Sequence, residues 1–249
     1  MTAHGPAAGD GTIQDLGTDG PRAVIFDLDG VLIDSEQVWD EIRRHLVAER
    51  GGTWLPDSTR AMMGMSTPEW ANYLVGLGIG MTADEAVDEV LRRLGDRYGD
   101  APPLIDGAVD AVRALTAELP LAVASSSPQV IIERVVRAAG LADAFAALVS
   151  SEGVPAGKPA PDVYLEAARR LEIPPEHCVA VEDSTNGVRA AVSAGMAVVV
   201  VPNPHFPPSA TALELAAARV EHTGALTLAD VWAAYRAGPA GAAPDAARR

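Results

Sequence analysis

Asp27 and Asp29 close an apolar run in VIFDLDGVLIDSE (residues 24–36) and are followed at once by Gly30. Two carboxylates this close repel unless a cation lies between them or one is protonated. A second acidic pair, Glu182 and Asp183, ends another apolar run in VEDSTNG (181–187). Lys158, in SEGVPAGKPAPDVY (151–164), is the only lysine of a chain that counts 19 lysines and arginines together. A surface charge tolerates either residue. A compact ammonium that must reach one point in a tight space does not, because guanidinium is larger and forks its donors. ASSS (124–127) adds hydroxyls and helix N-terminal amides, which suit a phosphate. Taken singly, these are an Asx turn, a capped helix, a helix cap and a charge in a Gly/Pro turn. Taken together, four acids, a serine and one lysine describe a cation-dependent anion site.

The elements that carry them read as an α/β fold. RAVIF (22–26), LAVAS (121–125), ALVS (147–150), CVAVE (178–182) and MAVVVV (196–201) are almost wholly apolar. Such strands are buried on both faces, which predicts a parallel sheet covered by helices. Helical patterns alternate with them, so a Rossmann-like, doubly wound sheet is expected, with its ligands at the carboxyl ends of the strands. In SSSPQVIIERVVRAAG (125–140), Ser127 is expected to cap a helix that Gly140 closes. Residues 36–101 show no strand pattern and are too long for a crossover. They predict an inserted α-helical cap, with a Thr82/Glu85 capping box opening its last helix. The α/β core is then 21–35 plus 102–236, with disordered tails at 1–20 and 237–249.

The chain has 249 residues, 48% of them hydrophobic, and a formal net charge of −15. That charge argues against nucleic acid or anionic membrane as a partner. It also means that an anionic substrate must be drawn in by local charges. One cysteine, Cys178, excludes an internal disulfide framework and suits a reducing compartment. No run approaches the ~20 apolar residues of a membrane span, and the N-terminus lacks a secretory pattern. A cytoplasmic monomer is the expectation.

The four motifs, in this order, resemble those of the haloacid dehalogenase-like superfamily of aspartyl-phosphate hydrolases. The chain is most similar to the branch holding β-phosphoglucomutase and the sugar- and polyol-phosphate phosphatases, over roughly residues 22–235. The resemblance implies that Asp27 is the nucleophile and Asp29 the general acid and base. It implies Mg2+ held by the Asp27 carboxylate, the Asp29 backbone carbonyl and Asp183, with Glu182 a further or water-mediated ligand. Phosphate oxygens would be bound by Ser125, the Ser126 amide, Lys158 and the 27–29 loop, Leu28 included. A phosphate dianion beside Asp27 and Asp183 meets repulsion of about 4 kcal/mol per close charge pair at an effective dielectric near 20. Mg2+ and Lys158 would offset it. On this reading Lys158→Arg loses most activity while the melting temperature barely moves.

Within the superfamily, a metal-free dehalogenase would have no use for Asp29, Glu182 and Asp183. The phosphonate-cleaving relatives need a lysine in the cap, and this cap has none. The mutase cycle uses a histidine and an arginine in the cap region, and the matching positions here are Trp39 and Thr67. The expected function is therefore a Mg2+-dependent phosphatase of small phosphorylated sugars or polyols, with a β-phosphoglucomutase-like mutase as the alternative. A catalytically silent binding protein is disfavoured because no motif residue is missing. Trp39 is expected either to pack the cap or to line the substrate entrance. Met62, Met63 and Met65 read as cap packing or a permissive lid.

Overall fold

The computed structural model describes residues 20–63, 65–98, 101–204 and 206–239. The expected tails lie outside these apart from Gly20, which is buried, and 237–239, where the last helix ends. Six parallel strands form one sheet in the order β3-β2-β1-β4-β5-β6. They are β1 (Ala23–Phe26), β2 (Leu121–Ser125), β3 (Ala147–Ser150), β4 (Cys178–Glu182), β5 (Ala197–Val200) and β6 (Ala218–Arg219). The first five match the apolar runs. The sixth, two residues long at the sheet edge, is too short to leave a pattern in the sequence.

Alternation along each strand splits the core in two. Val24, Phe26, Val123, Val181 and Val199 face one side; Ala23, Ile25, Ala124, Ala180 and Val198 face the other. Helices α5 (Ala108–Thr116), α6 (Gln129–Ala138) and α10 (Leu228–Ala237) cover the first side. Helices α7 (Asp162–Leu171), α8 (Thr185–Ser193) and the short α9 (Ala210–Leu213) cover the second. With both faces covered, every residue of β1, β2, β4 and β5 is buried. Each large apolar side chain so removed from water contributes about 1.5–3 kcal/mol.

Between β1 and α5 lie four helices: α1 (Glu36–Glu49), α2 (Ser58–Met62), α3 (Thr67–Gly76) and α4 (Ala83–Tyr98). Their apolar faces, including Trp39, Leu46, Trp70, Leu74 and Leu94, join the same core cluster as the first side of the sheet. The Thr82/Glu85 box forms: the Thr82 amide donates to Glu85 Oε2 at 2.8 Å and the Glu85 amide to Thr82 Oγ1 at 3.2 Å. The order 3-2-1-4-5-6 makes β1 the strand from which the chain winds both ways. Ligands collect at the carboxyl end of that switch point, and there β1 delivers Asp27.

Candidate active site

Asp27 continues β1 by one rung, its amide donating to Val181 O of β4 at 3.0 Å. That hydrogen bond holds the carboxylate at the lip of the sheet. The chain then reverses at Gly30, whose φ of +77° favours glycine, and a Cβ there would lie 1.8 Å from Asp183 Oδ2. Asp183 comes from the end of β4, the neighbouring strand, so parallel pairing brings both acidic motifs side by side.

Lys158 reaches this floor from the loop after β3. Its Nζ donates to Asp27 Oδ1 at 2.8 Å and to Glu182 Oε1 at 2.7 Å, and only 3% of the residue is exposed. Glu182 is fully committed. Oε1 also accepts from Tyr164 Oη at 2.8 Å, while Oε2 accepts the Asp183 amide, the Ser184 amide and Ser184 Oγ at 3.0, 3.1 and 3.0 Å. A carboxylate has about four acceptor sites, and here five donors fill them. The backbone also closes on it from α8, where a Cβ on Gly187 would lie 1.7 Å from Glu182 Oε1.

Burial works against the Lys158 charge, but Asp27 and Glu182 outweigh it and hold the ammonium above its ordinary range. Burial pushes Asp27 up to about 8; Lys158 opposes this, and Glu182 and Asp29 add to it. Burial, Glu182 and Asp27 raise Asp183 well above the usual carboxylate range. Asp27, Glu182 and Asp183 each offer an oxygen within 4.8 Å of the others. Buried oxygen donors that raise one another's proton affinity fit a hard divalent cation.

Asp29 is held differently. Ser127 Oγ donates to its Oδ2 at 2.6 Å and Ser125 Oγ at 3.5 Å. On the other oxygen, Ser35 Oγ and Trp39 Nε1 donate to Oδ1, the latter at 3.2 Å. Trp39 fills both expected roles, packing edge-on against Trp70 at 6.0 Å and lining the cavity, and adds a third, since its N–H orients Asp29. Ser127 also departs from expectation. Pro128 precedes the first turn of α6 with no side-chain cap, so the Ser127 hydroxyl is turned to the acid instead.

One cavity touches Asp27, Asp29, Lys158 and Asp183, with Ser126, Ser127 and Ser184 beside them. Ser125 is fully buried beneath this wall, its Oγ accepting the Ser127 amide at 2.9 Å. Leu28 is also fully buried, and its carbonyl accepts from the Leu32 and Ile33 amides. The opposite wall belongs to the insert: Glu36, Trp39 and Arg43 of α1, with Met62, Met63, Met65 and Trp70. Glu36 is pushed up to about 7 by burial and by the nearby Asp29 charge. Thr67 begins α3 and does not line this cavity. Sequence reading missed Tyr164, Glu36 and Arg43, because ordinary helical residues carry no mark of which cavity they face.

The fold and this cluster of acids around one lysine define a hydrolase class. The family model for haloacid dehalogenase-like hydrolases matches residues 21–195, and the chain belongs to that family. It is 39% identical over 189 residues to hexitol phosphatase B of Escherichia coli (strain K12), an alignment covering 73% of this chain and 84% of that one. It is 34% identical over 185 residues to a phosphorylated carbohydrates phosphatase of Thermotoga maritima, covering 70% and 82%. In fold it is similar to the crystal structure of β-phosphoglucomutase from Clostridium difficile, with a TM-score of 0.73, 22% identity, and coverage of 86% and 96%.

Proposed function

We propose that the protein is a Mg2+-dependent, cytoplasmic phosphatase that cleaves small phosphorylated sugars or polyols through an aspartyl phosphate on Asp27. The observation that carries this reading is the buried bridge from Lys158 Nζ to Asp27 Oδ1 and Glu182 Oε1 at the strand switch point. Residues 36–101 act as the cap over that floor. A single chain supplies every group, so a monomer suffices. Among the described residues no helix is long and apolar enough to cross a membrane.

Asp27 attacks phosphorus, the bond to the substrate oxygen breaks, and the departing alkoxide takes a proton from Asp29. Asp29 then removes a proton from water, which attacks the same phosphorus, frees phosphate and restores both carboxyl groups. Such acid–base help is worth ~10²–10⁴-fold. Its three hydroxyl donors and the Trp39 N–H hold Asp29 in place for both proton transfers. Lys158 fixes the attacking carboxylate and offsets phosphate charge. Glu182, saturated by its own donors, positions that lysine, which leaves the Asp27 and Asp183 carboxylates to hold the cation. Bound there, Mg2+ supplies two positive charges against the phosphate dianion. Ser126 and Ser127, just before α6, face the phosphate from the side.

The names of the similar phosphatases support the substrate class. The mutase alternative is weaker, since Trp39 serves Asp29 and Thr67 lies away from the cavity. The test is Mg2+-dependent phosphate release from p-nitrophenyl phosphate and from a panel of sugar and polyol phosphates. The panel includes β-glucose 1-phosphate with a bisphosphate activator. Release that persists in Asp27→Asn would sink the reading.

A further inference from the structure

Arg43 stands out among the charges of the insert. On α1 it follows Glu36 and Trp39 at spacings of seven and four residues, so all three share one helix face, and all three line the cavity over Asp27. Its guanidinium carbon lies 4.5 Å from the Trp39 ring centroid and 5.0 Å from that of Trp70. Its Nε is buried and has no hydrogen-bond partner.

Four other arginines of the insert are neutralised. Arg44 pairs with Asp40 at 2.5 Å, an acid that also accepts from Thr59. Arg92, Arg93 and Arg97 pair with Glu89, Glu49 and Glu41 respectively. Among the described residues no carboxylate stands within ion-pair distance of Arg43, although Glu36, Asp29 and Asp40 lie near enough for their fields to reach it. The aromatic contacts fix where the planar fork points without giving its N–H groups an acceptor.

We propose that Arg43 binds a carboxylate at the non-reacting end of the substrate, so that phosphorylated sugar acids are preferred over the matching neutral polyol phosphates. This rests on the phosphatase reading above and narrows its substrate class. A guanidinium fork matches a carboxylate with two parallel hydrogen bonds. A monoanion also suits the cavity better than a second phosphate would. Asp27, Asp29, Glu36 and Asp183 already line it alongside the phosphate to be cleaved, and each further negative charge adds repulsion. In a chain of net charge −15, only such a local cation can draw in a second anion.

The test is a matched pair, 6-phosphogluconate and glucitol 6-phosphate, which share chain length and scissile phosphate and differ only at the far carbon. The wild type is expected to favour the acid by about tenfold in kcat/KM, carried by KM. Arg43→Met should lose that preference, falling further on the acid than on the polyol. Arg43→Lys, which keeps the charge but not the fork, should fall between them and covers the case in which the methionine variant fails to fold. Binding of both probes to Asp27→Asn with Mg2+, followed by calorimetry, gives the same comparison without turnover. Equal handling of the two probes by the wild type, or a preference that survives in Arg43→Met, overturns the proposal. Absence of any Mg2+-dependent phosphate release would instead remove the phosphatase reading, and calorimetry would then decide the role of Arg43.

Discussion

The floor and roof of the cavity are built on opposite plans. The floor hangs from strand ends, and its acids and its lysine have close partners: Asp27 has Lys158, Glu182 has five donors, Asp29 has four. The roof is built from helix faces and the turn between α2 and α3, and carries two tryptophans, three methionines and a guanidinium without an acceptor. Strands locked in a sheet cannot drift by an ångström without breaking a ladder, so groups that must meet phosphorus in line belong there. Helices packed through adaptable methionines and aromatic rings tolerate changes of shape. If the proposed function holds, the difference teaches that reaction and choice of substrate rest mainly on separate elements, with Trp39 as the bridge, and that damage to each should leave a different kinetic signature.

Damage to the floor should lower turnover on every substrate. Asp27→Asn is expected to cost at least ~10³-fold in kcat, as removal of a covalent nucleophile does, with phosphate release as the readout. Asp29→Asn should cost ~10²–10⁴-fold, and most in the step where water must lose a proton. A burst of alcohol without steady release of phosphate would identify that step. Lys158→Arg should also lose most activity, but its melting temperature will not stay put. The side chain is sealed between two buried acids, and overpacking such a site costs ~1–3 kcal/mol, or roughly 2–12 °C here. The buried position of the ammonium between Asp27 and Glu182 argues against the unchanged stability expected from the sequence. Ser127→Ala removes one donor to the acid and should cost about tenfold in kcat with KM held. A change in KM alone would place Ser127 on the substrate instead.

A thermal measurement sharpens the same contrast. Asp27 sits at about 8 in the fold against an unfolded value of 3.8. The metal-free fold therefore binds more protons than the unfolded chain between those values. The contribution of Asp27 to stability is full below the unfolded value and is lost as pH rises through 8. Added Mg2+ competes with those protons, so it should raise the melting temperature more at pH 8 than at pH 6. A pH-independent Mg2+ effect would count against the acids as its site.

The floor was legible in the sequence because acids interrupting apolar strands are conspicuous, and because Lys158 is the only lysine. The fold followed from the same strands, whose unbroken apolar character requires a parallel sheet. The roof was not legible. Which face of α1 turns inward depends on how the insert packs against the sheet, and VWDEIRR by itself does not tell Arg43 from Arg44. Tyr164 likewise reads as core, and its hydroxyl finds Glu182 only once α7 is docked. Ser127 was misread because a serine before Pro128 looks like a helix cap; only tertiary placement of Asp29 shows what the hydroxyl serves.

The close approach of Gly30 and Gly187 to the acids has a consequence for anyone reshaping this enzyme. Two points of bare main chain lie under 2 Å, measured from an added methyl, from Asp183 and Glu182. Saturation libraries spread across the catalytic loops should return glycine alone at both positions, whatever substrate is selected for. Diversity is better spent on Arg43 of α1 and on Met62, Met63 and Met65, which line the same cavity away from these glycines.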